Sequence, residues 1–353
     1  MNDELGAVQA ALGARARLLQ WADGGLVVDL LRAASGEGWL DLLTTPTTVE
    51  ALAEAGGVSA ERARRVVEVF VAAGVVRAGE GPAYVLTEEF AALNGAPAGV
   101  RLDDAIDMIA AARGRVRSAV SPDVRRTWEQ DALVVARNWG MLPTAATRAI
   151  FSMAYDAVPA YRDRLAAGGP LLDIGSGIGG ALLTTLTMFP ELRAVGVERA
   201  EDVVKELRER AEAAGVTSRL EIRCADAREI DDEAAYEVAY WAQAFFPDDA
   251  RAVTLATARR ALVPGGLLLV QELAPPAQDA PEARLHSALD ALVADSRGVP
   301  PVRTAEELAA ELRNGGFEDV QVTTTPIGRL VLGRRVLDQG PWAGPGRRRR
   351  GSA

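Results

Sequence analysis

The sequence predicts an α/β protein: a doubly wound, mostly parallel sheet, preceded by an all-helical region that contains a winged-helix unit. Three observations carry this. From Leu171 onward, short apolar runs alternate with helical stretches, the order a parallel sheet requires. The first run opens into LLDIGSGIGG, residues 171–180, where an acid precedes four glycines that fall within six residues. Residues 48–87 read as helix, turn, helix and hairpin. At 353 residues the chain has room for two domains of about 150 residues each.

In the first half, residues 5–35 carry apolar side chains at helical spacing. Residues 48–54 form a short helical stretch and Gly56-Gly57 a turn. Ser59 is placed to cap a second helix over residues 60–73. Residues 75–77 and 84–87, joined through Gly79-Glu80-Gly81-Pro82, complete a hairpin and with it the winged-helix unit. Residues 101–118 and 128–161 read as further helices. Gly168-Gly169-Pro170 marks a joint, so the expected domains are residues 1–168 and 169–339. Residues 340–353, with Pro, Gly and an arginine run, read as a disordered tail.

In the second half, strands are expected at residues 171–174, 193–197, 220–223, 238–241, 267–271 and 319–324. Helices are expected between them, among them 202–214, 250–261 and 305–314. The glycines after Ile174 permit a tight turn with positive φ and let a ligand approach bare backbone. Residues 181–189 are apolar and read as a helix that Pro190 closes. Strand, glycine turn and helix N-terminus together make a nucleotide pocket. The same residues satisfy G-x-G-x-x-G, so the loop alone does not separate a dinucleotide from another nucleoside.

Composition removes several function classes. The net charge is −10, which argues against a general polyanion binder. Residues 44–95 hold seven acids and four arginines, the wrong balance for reading DNA through its phosphates. One cysteine, Cys224, gives neither a disulfide framework nor a cysteine metal cluster. One histidine rules out a two-histidine metal site, and no metal is expected. The start, Met1-Asn2-Asp3-Glu4, lacks the charged-then-apolar order of a signal peptide, and no apolar run reaches the ~20 residues of a membrane helix. A cytoplasmic protein is expected.

Acids recur at the expected strand ends. VGVERA places Glu198 just past the second strand, where a carboxylate can accept both hydroxyls of a ribose. IRCADARE places Asp226 past the third, where it can accept from an adenine amino group, with the Ala227 N–H near for a ring nitrogen. LVPGGLLLV gives a Pro-Gly-Gly turn into a long apolar strand.

Together LLDIGSGIGG, GVERA, CADARE and ALVPGGLLLVQE resemble the class I S-adenosylmethionine-dependent methyltransferases. RTAEELAAELRNGGFEDVQV resembles the segment before the last strands in their small-molecule O-methyltransferase branch, which also carries a winged-helix N-terminal half. Asp173, two residues before the first glycine, favours this family over dinucleotide folds, which usually hold an apolar residue there. The resemblance implies S-adenosylmethionine as cofactor, S-adenosylhomocysteine as product, a small-molecule acceptor and a homodimer built through the helical half. It implies that Gly175, Ser176 and Gly177 pass beneath the cofactor, and that Asp173 orients the loop or meets the amino-acid end through water. It implies Glu198, with Arg199 beside it, at the ribose, and Asp226 with Ala227 at the adenine. Gln243 would line the floor near the sulfonium. Met153 and Tyr155 correspond to a helix that packs over the methionine part, and Tyr155 counts as a catalytic candidate.

The chain departs from the family at the base. Plant-type members carry a histidine soon after the fourth strand; here that stretch is WAQAFFPDD, with Phe245 and Phe246. The single histidine, His286, lies later, in ARLHSALDALV. Glu272, at the end of the fifth strand, is an alternative base, its other role being a hydrogen bond to backbone at the strand end. In ARNWGMLP, Arg137 is a candidate clamp for an acceptor carboxylate and Trp139 an aromatic wall, or both pack against the sheet domain or a dimer partner. Two other functions stay open. One is a same-fold enzyme that cyclises the aminobutyryl arm of S-adenosylmethionine, releasing methylthioadenosine. The other is a DNA-binding regulator built on the winged helix, which would need Arg62, Arg64 and Arg65 to outweigh the acids.

Overall fold

A computed structural model describes residues 2–95, 99–121, 128–273, 281–299 and 302–336, with the side chains of 2–4, 128 and 281–282 left aside. The expected disordered tail lies outside the described residues. The chain divides into two compact units. The first holds the chain up to Gly114 together with Arg137–Ala146; the second gathers Arg115–Ala136 and the chain from Thr147.

The first unit opens with one continuous helix, α1 (Asn2–Gly36), where the sequence predicted several, and a short helix, α2 (Trp39–Leu42). The strand β1 (Thr47–Thr48) leads into α3 (Val49–Ala55), which Thr48 caps by accepting from Ala51 N. Ser59 caps α4 (Ala60–Ala72) by accepting from Arg62 N, as its position predicted. A hairpin follows, β2 (Val76–Ala78) and β3 (Ala83–Leu86), and β1 adds to it to give the order β1-β3-β2. Helices α5 (Glu88–Asn94) and α6 (Leu102–Ser118) complete the run. The core is Leu31, Leu40, Leu43, Leu52, Val67, Phe70 and their neighbours, joined by Leu102 and Ile106 of α6. The first two-thirds of α1 lies outside that core: Leu5, Val8, Leu12, Leu18, Leu19, Trp21 and Leu26 are all exposed.

Three helices lead to the sheet: α7 (Ala132–Trp139), which crosses from the second unit into the first, α8 (Ala145–Asp156) and α9 (Pro159–Ala166). α9 lies in the second unit, ahead of the joint at Gly168-Gly169-Pro170. The sheet then alternates as predicted: β4 (Leu171–Ile174), α10 (Gly180–Met188), β5 (Ala194–Glu198), α11 (Glu201–Ala213), β6 (Leu220–Cys224), β7 (Tyr236–Trp241), α12 (Asp248–Ala261) and β8 (Leu262–Gln271). Helices α13 (Pro281–Ser296) and α14 (Ala305–Asn314) precede β9 (Phe317–Thr325) and β10 (Gly328–Arg335). The strand order is β6-β5-β4-β7-β8-β10-β9, with β4 to β8 parallel and β10 antiparallel to both neighbours.

Two features differ from the sequence expectation. β8 starts at Leu262, directly after α12, because Gly265 at φ 78° lets the Pro-Gly-Gly turn stay within the strand. β10 was not foreseen. Its apolar run, Leu330 to Leu332, is only three residues long between Arg329 and Gly333, too short for a period to show. It pairs because it inserts between β8 and β9, where Leu330, Val331 and Leu332 are buried. Leu172, Ile174, Trp241, Leu268, Val270 and Val331 anchor one core cluster with α12 and α14.

Candidate active site

Strand register gathers the predicted acids at one end of the sheet. Ile174 pairs with Val197 on one side and Trp241 on the other. Gly175, Glu198 and Ala242 therefore leave the sheet together. Glu198 pairs with Cys224 and Trp241 with Val270, so Asp226 and Glu272 follow at the same edge. Ligands bind such sheets beyond the carboxyl ends of the strands.

The glycine loop is fixed by β5. The amides of Gly175 and Ser176 both donate to the Val197 carbonyl, at 2.9 and 3.0 Å. The Ser176 hydroxyl donates to the Asp173 carbonyl at 3.0 Å. Gly175 (φ 78°) and Gly179 (φ 86°) are left-handed, and neither has room for a side chain. A Cβ at Gly175 would lie 2.8 Å from the Phe246 ring, and one at Gly179 2.5 Å from Leu207. Glu198 braces the same loop: its Oε2 accepts from Gly177 N at 3.1 Å, and its Oε1 from the amides of Arg199 (2.8 Å) and Ala200 (3.0 Å). Oε1 has both lone pairs engaged, and Oε2 keeps acceptor capacity for a further donor.

Asp173 is 3% exposed, and its Oδ1 has no hydrogen-bond partner among the described residues. Burial pushes its carboxyl up to about 7; the Ser176 hydroxyl opposes this and the nearby Glu198 charge adds to it. Three phenols feel this charge, Tyr155 and Tyr161 buried and Tyr240 half-buried. Tyr155, Tyr161 and Tyr240 are all pushed above the usual phenol range, first by burial, with the Asp173 charge contributing to each. The Tyr155 hydroxyl shares a 2.5 Å hydrogen bond with Thr185, and its ring stacks on Tyr161. Tyr155 is thus a packed core residue of α8, whereas Met153 on the same helix is 52% exposed.

Past β6, Asp226 accepts from the Arg228 guanidinium through both oxygens (3.0 and 2.8 Å) and from Arg228 N at 2.9 Å. Arg228 holds the carboxyl below its ordinary range. Ala227, buried, opens the 3₁₀ turn that Asp226 caps. Arg199 reaches from Asp226 (3.7 Å) to Glu129 (3.5 Å), across a cavity of about 670 Å³ lined by Glu129, Arg199, Ala200, Glu201, Asp202 and Asp226.

The acid and amide candidates past β7 and β8 are engaged elsewhere. The Gln243 side chain, 1% exposed, donates to the Gln271 carbonyl at 2.9 Å and accepts from Arg251 at 3.0 Å. Glu272 accepts a two-pronged pair from Arg329 at 2.6 Å each and caps α14 through Ala305 N at 2.9 Å. Arg329 holds its carboxyl below the ordinary range, so the geometry favours the bracing role over the base. His286 is exposed on α13 and pairs with Asp290, one turn on, at 3.1 Å. Arg137 and Trp139 belong to the first unit. The sequence did not single out Arg228, Arg251 or Arg329. Only Arg228, two residues after Asp226, had a local signal.

Residues 171–266 match the family model of a methyltransferase domain. No curated protein matches the chain. Among solved structures it is similar to a methyltransferase in calicheamicin biosynthesis, CalO1, in its S-adenosylhomocysteine-bound form: 25% identity, 92% of this chain, 98% of that one, TM-score 0.60. It is similar to the mitomycin 7-O-methyltransferase MmcR, at 22% identity, 93% and 100% coverage and TM-score 0.67. It is also similar to a putative O-methyltransferase from Nostoc punctiforme, at 18% identity, 90% and 98% coverage and TM-score 0.68. The chain has the class I S-adenosylmethionine-dependent methyltransferase fold, in the form seen in O-methyltransferases, and residues 171–266 are its methyltransferase domain.

A testable consequence concerns Asp173. Its folded pKa lies above its unfolded one, so folding favours the protonated form. The cost of ionising it is absent at low pH and grows as pH rises from about 4 through 7. Asp173→Asn should therefore raise the ligand-free protein's melting temperature at pH 8 and raise it clearly less at pH 5, where only the first part of that cost is present. Equal effects at both pH values in thermal melts would show that the carboxyl does not titrate as burial requires.

Proposed function

We propose that this protein is an S-adenosylmethionine-dependent methyltransferase for a small-molecule acceptor, of the kind that decorates bacterial secondary metabolites. The observation that carries it is the convergence of Asp173, Glu198 and Asp226 on the glycine loop at one sheet edge. The residues present fit the cofactor. Asp173 offers a buried, orphaned oxygen for the amino-acid end, directly or through water. Glu198 keeps a lone pair on Oε2 for a ribose hydroxyl, Asp226 with Ala227 takes the adenine, and the left-handed loop leaves no Cβ in the way at Gly175 and Gly179. Arg199 and Glu129 line the cavity beside the Asp226 carboxylate. When bound, S-adenosylmethionine supplies a methyl group already activated by its positive sulfonium.

The chain's own task is then alignment and exclusion of water. Phe246, edge-on to Trp241, lies against the loop at Gly175. Proximity and orientation alone supply several kcal/mol of rate enhancement. Gln243 positions the turn past β7 instead of lining the floor, Glu272 braces α14, and Tyr155 packs in the core against Tyr161 and Thr185. An acceptor that ionises easily, an acidic phenol, an enol or a carboxylate, needs little help from a base. Arg137 and Trp139 are assigned to acceptor recognition, and the exposed apolar residues of α1 to a homodimer through the winged-helix half. No described helix is long and apolar enough to cross a membrane. One exposed cysteine suits the reducing cytoplasm, where we place the protein.

Three measurements test this. Glu198→Ala removes a charged acceptor, a loss of about 1.5–3 kcal/mol or roughly 10- to 150-fold in S-adenosylhomocysteine affinity; unchanged affinity by calorimetry would remove the ribose assignment. Light scattering should return about twice the 37.3 kDa chain mass; a monomer at micromolar concentration contradicts the dimer. A histidine base would be worth about 10²- to 10⁴-fold in rate, so His286→Ala, at an exposed ion pair, should cost less than about tenfold in single-turnover transfer. In that assay the product should be S-adenosylhomocysteine; methylthioadenosine would indicate cyclisation.

A further inference from the structure

The stretch between β7 and α12 contacts the glycine loop, and little of its own backbone holds it there. The amides of Phe245 and Phe246 donate to Ala242 and Gln243 carbonyls at 3.3 Å, the long end of the range. Ala242 N donates to the Ile174 carbonyl at 2.9 Å, tying the turn to the residue before Gly175. The Phe246 ring then fills the space where Gly175 would carry a Cβ. A shift of this turn would move the wall of the site.

One buried side chain fixes it. Arg251 of α12 is 2% exposed and its guanidinium faces two ways. One edge donates to the Gln243 carbonyl (2.6 Å) and to the Gln243 side-chain oxygen (3.0 Å). The other edge forms a paired bond to Glu311 of α14, at 2.8 and 2.6 Å. Its face lies 4.9 Å from the Trp241 ring centroid. The Gln243 amide continues the chain to the Gln271 carbonyl, at the end of β8. A buried ion pair is poor evidence for stability, since apolar groups of equal volume often serve as well; retaining one argues for a specified geometry. Only a planar, five-donor group spans both a carboxylate and a turn carbonyl at once.

We infer that Arg251 is a positioning residue. Held by Glu311, it locks the Gln243–Phe246 turn against the glycine loop and so presets the wall of the cofactor site. The inference rests on the methyltransferase reading for its affinity arm only.

The test uses Arg251→Met, which keeps apolar volume over Trp241 and removes both sets of bonds. Deuterium exchange reads the amides of Phe245 and Phe246; calorimetry reads S-adenosylhomocysteine affinity; denaturant unfolding reads global stability. The expected result is a lower unfolding midpoint, because Glu311 loses its buried partner, with exchange at Phe245 and Phe246 faster than that global loss accounts for, and about tenfold weaker binding, the scale of a charge-assisted hydrogen bond. Pairing it with Phe246→Leu should give less than additive losses, because Arg251 acts through that ring. If Arg251→Met does not fold, Glu311→Gln weakens the same anchor and should move both local readouts in the same direction. Unchanged exchange, or faster exchange with unchanged affinity, would overturn the inference, as would strict additivity with Phe246→Leu. Failure of the wild-type protein to bind S-adenosylhomocysteine would instead remove the cofactor reading, and the exchange arm would still decide whether Arg251 holds the turn.

Discussion

Asp173 lies on β4, the strand with a parallel partner on each side, and its carboxyl is buried with one oxygen unpaired. Burying such a group costs free energy unless something meets it. The surroundings do little to relieve it: tyrosines 155, 161 and 240, a serine hydroxyl that bonds the backbone, and a second carboxylate, Glu198, nearby. A cationic or hydrogen-bond-donating ligand at the loop would relieve it. The rest of the site is arranged around that demand. The loop leaves β4 through glycines at 175, 177 and 179, Glu198 accepts from the loop amide of Gly177, and Asp226 waits at the next strand end.

Two kinds of carboxylate share this sheet edge. Asp226 and Glu272 are each paired with arginine and held charged. Asp173 is not, and is pushed toward neutrality. Environments that separate carboxylates in this way assign them separate roles. Glu272 ties β8, β10 and α14 together; Asp226 shapes the cavity beside Arg199; Asp173 responds to charge placed next to it. The chemistry asked of the protein is correspondingly modest, since Phe245 and Phe246 cannot take a proton and His286 sits on an exposed helix face.

What the sequence made legible was local. Strand, glycine turn and helix lie within about twenty residues, and Glu198 and Asp226 follow their strands directly, so spacing alone located them. The side-chain roles that needed the structure depend on partners distant in the chain. Gln243 is fixed by Arg251 and by Gln271, Glu272 by Arg329 in the unforeseen β10, and Tyr155 by Thr185. An amide or acid past a strand end looks the same in sequence whether it faces a ligand or a buried arginine. β10 itself was hidden because its pairing is antiparallel and its apolar run is short. The helical half was read well at the Ser59 cap, and less well in α1, whose exposed apolar residues have no internal partner to define a face.

The most direct test is the proton balance of cofactor binding. Calorimetric titration of S-adenosylhomocysteine near pH 7, in buffers of different ionisation enthalpy, counts protons exchanged on binding. A carboxyl titrating near 7 is about half protonated there, and the ligand's ammonium group would draw it to the charged form. The account predicts release of up to about half a proton per site from the wild-type protein, and none from Asp173→Asn. Tight binding with no proton released would contradict it, because the buried carboxyl of Asp173 would then not be what receives the ligand.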